Sequence, residues 1–173
     1  MTLSNTSPII YLAKIRRLDL LKSVYGSVRV CSPVWQDIVH LYKRGFLSEE
    51  DFSLISQARK EWIILQDPKE KHSIELVESL IEGGLGLGEA YSIALAKELG
   101  EIFLANDKQA IEVAKKLGVK TRWFTEILHD ALRSNYLKSV DEYVRILDAC
   151  ISQGLYVSRK QRERAIEAAK KIV

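Results

Sequence analysis

Thr2-Leu3-Ser4-Asn5-Thr6-Ser7-Pro8-Ile9-Ile10-Tyr11-Leu12 opens the chain and decides how the rest is read. A short apolar run ends at a polar cluster, and a helix starts at once. Pro8 suits a first helical position, where an N–H has no intrahelical partner, and Ser7 is the expected cap before it. In an α/β domain such a junction lies at the carboxyl end of a sheet strand, where ligand sites form. Asn5 to Ser7 are therefore expected on the floor of a functional site.

The same device recurs further along. Residues 28–31 read as a second short strand, and Ser32-Pro33 repeats the cap and proline before a helix reaching about Leu41. Ser48-Glu49-Glu50-Asp51 has the capping-box pattern. Residues 62–66 form a third strand, closed by Asp67-Pro68, and a helix follows over about 69–82. Gly83-Gly84-Leu85-Gly86-Leu87-Gly88-Glu89 then leads into an apolar helix over 90–99. Its glycine spacing fits neither a dinucleotide fingerprint nor a Walker loop. Residues 102–105 are a fourth strand, stopped by Asn106-Asp107. After a helix with Ala110, Val113, Ala114 and Leu117 at the 3.6-residue period, residues 119–122 make a fifth. Three helices close the chain, near 125–135, 139–152 and 158–172, the last two with capping boxes Ser139/Glu142 and Ser158/Gln161.

Helices thus separate short strands throughout. That pattern implies parallel pairing and helices on both faces of the sheet, an α/β class with three layers. At 173 residues, with 47% hydrophobic and 28% charged residues, one globular domain is expected. No apolar run approaches the roughly 20 residues of a membrane span, and no basic leader precedes an apolar segment, so a cytoplasmic protein is expected. Cys31 and Cys150 have neither disulfide nor metal-ligand spacing and read as small core residues. His40, His72 and His129 are scattered, which argues against zinc or triad chemistry. The net charge of +3 permits a polyanionic partner, with Arg16-Arg17, Lys43-Arg44 and the basic run at 159–164 as candidate contacts.

Four polar residues stand where chemistry would be expected. Asn5 and Asp107 end the first and fourth strands, Glu89 opens the helix after the glycine-rich break, and Asp37 lies one turn into the helix begun by Pro33. If strands one and four are neighbours, these side chains converge at the sheet's carboxyl edge. Three carboxylates and an amide oxygen suit a hard cation such as Mg²⁺ or Mn²⁺. Taken singly, each has a plainer role, since acids in a first helical turn complement the helix dipole and Asn is a common turn residue.

In this order and spacing the motifs resemble the PIN-domain family, in particular its small prokaryotic members similar to VapC-type toxin ribonucleases. The resemblance rests on the opening stretch through Ile15, on Val34-Trp35-Gln36-Asp37-Ile38-Val39, on Gly86-Leu87-Gly88-Glu89-Ala90, and on Phe103-Leu104-Ala105-Asn106-Asp107 followed by Ala114 and Gly118. It implies strand order 3-2-1-4-5, an Mg²⁺- or Mn²⁺-dependent ribonuclease site, RNA as substrate, an antitoxin protein as possible partner, and a homodimer. The family's acidic positions map onto Asn5, Asp37, Glu89 and Asp107, with Ser7 as the hydroxyl beside the first. Asn106 replaces Asp107 if the register slips by one. At the first position most active members carry aspartate. Asn5 is neutral and cannot act as a base, which implies weaker metal binding and slower hydrolysis, or a domain that binds RNA or a protein without cutting. A flavodoxin-like signalling domain shares the fold class, but it needs an acceptor aspartate where Asn5 stands.

Overall fold

The computed structural model describes residues 1–173. Five strands, β1 (Thr2–Ser4), β2 (Val28–Val30), β3 (Ile63–Leu65), β4 (Ile102–Ala105) and β5 (Thr121–Trp123), form one all-parallel sheet in the order β3-β2-β1-β4-β5. Between them run α1 (Thr6–Lys14), α2 (Asp19–Tyr25), α3 (Ser32–Lys43), α4 (Glu49–Glu61), α5 (Lys71–Glu82), α6 (Leu87–Leu99) and α7 (Lys108–Lys116). After β5 come α8 (Phe124–Arg133), α9 (Val140–Ser152) and α10 (Arg159–Ile172). The α/β class and strand order are those expected. The fifth strand lies slightly later than the sequence reading placed it.

The two-residue period of the strands divides the core. Leu3 pairs in register with Phe103, and both join Ala105 under α6 and α7 with Ile93, Ala110 and Ile111. Val28, Val30 and Leu104 face the other way, into a larger cluster with α1, α3, α4, α8 and α9. Both faces of the sheet are therefore apolar, as in a parallel sheet flanked by helices. Tyr143, Leu147 and Cys150 of α9 are fully buried in this second cluster, so the apolar stripe of α9 is core. Burial pushes the thiols of Cys31 and Cys150 up to about 12, in keeping with inert core cysteines.

The helix starts differ from expectation in detail. Asn5, extended at φ −76° and ψ −179°, is the N-cap of α1, so Thr6 rather than Pro8 is its first residue. Cys31 likewise caps α3, with Pro33 second in the helix. Proline fits any of these positions, because none of the first-turn N–H groups has an intrahelical acceptor. The Ser48–Asp51 and Ser158–Gln161 boxes form as read. At Ser139 only half does: its hydroxyl accepts from Glu142 N, but the Glu142 carboxylate takes Lys138 N and Arg17 instead.

Asp51 does more than cap α4. It is 5% exposed and also pairs with Arg16 and Lys14, which fastens α4 to the end of α1. Burial alone would raise its pKa, but the Arg16 guanidinium, the Ser48 backbone and hydroxyl, and Lys14 together hold it low. Because the folded value lies below the unfolded one, this stabilisation is present above the ordinary aspartate range, near 3.9, and is lost as pH falls through the depressed value. Asp51→Ala should cost roughly 2–3 kcal/mol, from the lost cap and the orphaned cations. Thermal denaturation at neutral pH should show the loss, and the gap from wild type should shrink in acid.

Candidate active site

β1 and β4 are neighbours, and Asn5 N donates to Leu104 O at 2.9 Å, so the ends of the two strands are tied together. Asn5, 6% exposed, lies at the carboxyl edge of the sheet. Asp37 comes from α3, whose start is held by Asp67 at the end of β3. Ser32 donates to Asp67 through both its backbone N–H, at 2.7 Å, and its hydroxyl, at 2.6 Å. Glu89 is the third residue of α6, which begins at Leu87 after the cap Gly86 rather than at Ala90.

Gly88 is where these elements meet. A methyl group on its α-carbon would lie 3.3 Å from Asp37 Oδ2, 3.4 Å from Val34 Cγ2 and 3.7 Å from Asn5 Oδ1. A side chain here would make Asp37 and Val34 give way by a few tenths of an ångström, so glycine eases the close approach of α6 to α3. At Gly86 an added methyl would come to 2.5 Å from Glu89 Oε2, because the Glu89 carboxylate folds back over the helix start. The Asp37 carboxyl sits above its usual range, first because it is partly desolvated and second because the Glu89 charge is close; His40 acts weakly in the opposite sense. Asn5 and Asp37 thus meet at Gly88, and Glu89, folded over Gly86, is near enough for its charge to act on Asp37. The sequence reading missed Gly88, although a glycine in the first turn of a helix, about 1 kcal/mol worse than alanine, signals a close approach.

Asp107 stands on the same edge with a structural task of its own. It caps α7, one carboxylate oxygen accepting from Ala110 N at 2.8 Å. The Asn106 amide donates to Tyr156 O at 3.0 Å, tying the α9–α10 linker to the end of β4. Ser7 is half-buried in the first turn of α1, one residue beyond Thr6, whose buried hydroxyl has no hydrogen-bond partner.

No three His, Cys, Asp or Glu side chains gather into a group that could hold a metal ion. What meets at Gly88 is one carboxylate, of Asp37, and the amide oxygen of Asn5, with the Glu89 charge near enough to act on Asp37; oxygen donors of this kind suit a hard divalent cation by chemistry. Asn5 leaves the set one charge short of the same site with aspartate at that position.

Half of the expected basic contacts pair with acids of the chain itself. Arg16 pairs with Glu50 and Asp51, Arg17 with Glu142, Arg159 with Glu163, and Arg162 with Asp148.

Gly88→Ala separates stability from activity. Alanine favours the helix by up to about 1 kcal/mol, which offsets the tight contact with Asp37 and Val34. Displacing a reacting group by about 1 Å can cost on the order of a hundredfold in rate. The variant should therefore melt within a few degrees of wild type, by circular dichroism, while losing at least tenfold of any nuclease activity.

No helix is long and apolar enough to cross a membrane. No curated protein matches the sequence. A family model described as a PIN domain matches residues 1–171. With strand order, helix order and the acidic edge all in agreement, the chain belongs to the PIN-domain family, whose fold is nuclease-like and whose members generally use divalent metals and bind RNA.

Proposed function

We propose that the protein is a cytoplasmic Mg²⁺- or Mn²⁺-dependent ribonuclease that hydrolyses RNA phosphodiesters at the edge formed by Asn5, Asp37, Glu89 and Asp107. The observation that carries this is the Gly88 cradle, which brings a carboxylate of α3, an amide of β1 and the start of α6 together on a family fold built for such a site. Asp37 and Glu89 hold the cation with their charged oxygens, Asn5 adds a neutral oxygen, and Asp107 contributes the carboxylate oxygen that its cap leaves over. When bound, such an ion makes water a better nucleophile and offsets the charge of the phosphodiester. The Ser7 hydroxyl, in the first turn of α1, can donate to a phosphate oxygen. Asn5 accepts and positions but takes no proton.

The resemblance to VapC-type toxins extends the reading to a toxin–antitoxin pair, with an antitoxin protein as partner and a homodimer as the assembly. Asn5 itself favours a second reading, a domain that binds RNA without cutting it. Incubation of a single-stranded RNA with Mn²⁺, with Mg²⁺ and with EDTA tests the first. Cleavage confined to the metal-containing reactions, and lost in Asp107→Asn, is expected. Equal cleavage in EDTA would refute it.

A further inference from the structure

Next to Asn106, outside the acidic edge, a cavity of about 240 Å³ opens between the end of β5, α8 and α10. It has room for one planar ring system and falls short of the ~300–1,000 Å³ that encloses a drug-sized ligand. Trp123, half-buried at the end of β5, supplies an aromatic wall, with Thr125, Val157, Gln161 and Arg164 around it. The Gln161 carbonyl oxygen is used by Ser158 N, which leaves its amide N–H₂ to donate. Arg164 differs from its neighbours Arg159 and Arg162. Those two pair with Glu163 and Asp148, whereas Arg164 has no carboxylate within ion-pair distance and brings a free cation to the cavity.

His129 also lines the cavity but is spoken for. Its ring stacks on Tyr143 with centroids 5.1 Å apart, and its Nε2 lies 2.8 Å from the Ala165 carbonyl. That carbonyl can only accept, so the imidazole donates to it and forms part of the wall. One further aromatic precedes the wall residue Val157 in the chain. Tyr156 is 78% exposed, and the segment that carries it is fixed by the bond from Asn106 Nδ2 to its carbonyl. A tyrosine so exposed, on an anchored backbone one residue from the cavity wall at Val157, has no packing role.

We propose that this cavity binds one base of single-stranded RNA, adjacent to the phosphodiester presented to Asp37, Glu89 and Asp107. Trp123 offers the stacking face inside, Tyr156 stacks a neighbouring base outside, Gln161 donates to a base edge, and Arg164 contacts a phosphate. Aromatic faces combined with an unpaired cation are the chemistry that recognises unpaired nucleotides, and they are of no use against a stacked duplex. The sequence joins the two sites directly, since Asn106 lines the cavity and Asp107 follows it on the acidic edge. The proposal rests on reading that edge as a ribonuclease centre, and it places the selection of substrate beside it.

The test compares wild type with Tyr156→Ala, Trp123→Leu and Arg164→Gln. Affinity for a fluorescein-labelled 12-nucleotide oligouridylate is read by anisotropy in EDTA, and cleavage of the same RNA is read separately in Mn²⁺. Tyr156→Ala and Trp123→Leu should each weaken single-strand binding about tenfold. Tyr156→Phe should stay within twofold of wild type. Arg164→Gln should weaken binding and lower the slope of log affinity against log salt by about 0.7, as for one lost phosphate contact. A 12-base-pair RNA duplex should bind all variants alike. Tyr156 and Arg164 are exposed, so these two variants keep the test valid if Trp123→Leu unfolds. Unchanged single-strand affinity in both would overturn the proposal and leave the cavity to a protein partner. If the variants lose affinity but wild type does not cut, the base site stands and the ribonuclease reading falls. If wild type cuts and the variants bind normally, the ribonuclease reading stands and the base site falls. If wild type binds no RNA, both fall.

Discussion

Asn5→Asp is expected to raise the single-turnover rate of Mn²⁺-dependent RNA cleavage at least tenfold, and to lower the Mn²⁺ concentration needed for half the maximal rate. The substitution changes one amide into a carboxylate with almost no change in shape, at a residue 6% exposed whose backbone is fixed by Leu104. Its oxygen already shares the Gly88 cradle with Asp37. At an effective dielectric near 20 and a separation of ~4 Å, one added unit charge is worth about 4 kcal/mol against another, before desolvation. Without a cation that term is repulsive, because the new charge joins those of Asp37 and Glu89. The metal-free variant should accordingly melt several degrees lower than wild type, each kcal/mol being worth ~2–4 °C at this chain length. Saturating Mn²⁺ should reverse the order. A faster reaction with no change in metal-free melting would mean that residue 5 acts outside the acidic patch.

Asp37→Asn is expected to do the reverse. Partial desolvation and the Glu89 charge hold the Asp37 carboxyl above its usual range, so folding works against its ionised form. The sign follows directly. A raised folded value means that ionisation at neutral pH works against folding, and that the metal-free protein gains stability as pH falls through that value. The neutral amide removes the repulsion, and metal-free Asp37→Asn should melt above wild type at pH 7. It also removes one of the three proposed charged donors, so Mn²⁺ should raise its melting temperature far less than that of wild type and cleavage should fall on the order of a hundredfold. Differential scanning fluorimetry with and without Mn²⁺, paired with the cleavage assay, reads all three. A variant less stable than wild type without metal would show that Asp37 is held by attractive contacts.

The sequence revealed the layout of the fold because its local signals are strong. Short apolar runs such as Ile102-Phe103-Leu104-Ala105 alternate with amphipathic helices, and Ser48 with Asp51 forms the box that its spacing announces. Helix starts were legible only to within three residues, since Pro8 and Pro33 are tolerated anywhere in a first turn and α6 begins at Leu87, inside the glycine-rich break. The site was partly legible. Residue type and position, at strand ends for Asn5 and Asp107 and near helix starts for Asp37 and Glu89, singled out these four as candidates. What one dimension could not carry was how their side chains are spent. The Asp107 carboxylate caps its own helix, and Asn106 holds the α9–α10 linker. Arg16 and Arg17 find acids 34 and 125 residues away. Gly88 and Tyr156 depend on a close approach and on exposure, and both come into being only when distant segments pack.

The central claim is that Asn5, Asp37 and Glu89 around Gly88 form the centre of a metal-dependent ribonuclease. Its most direct test is the single-turnover cleavage rate of one single-stranded RNA in Mn²⁺, measured side by side for Asn5→Asp, wild type and Glu89→Gln prepared identically. The expected order is Asn5→Asp fastest, wild type slower, and Glu89→Gln at background. Equal rates in all three proteins would contradict it.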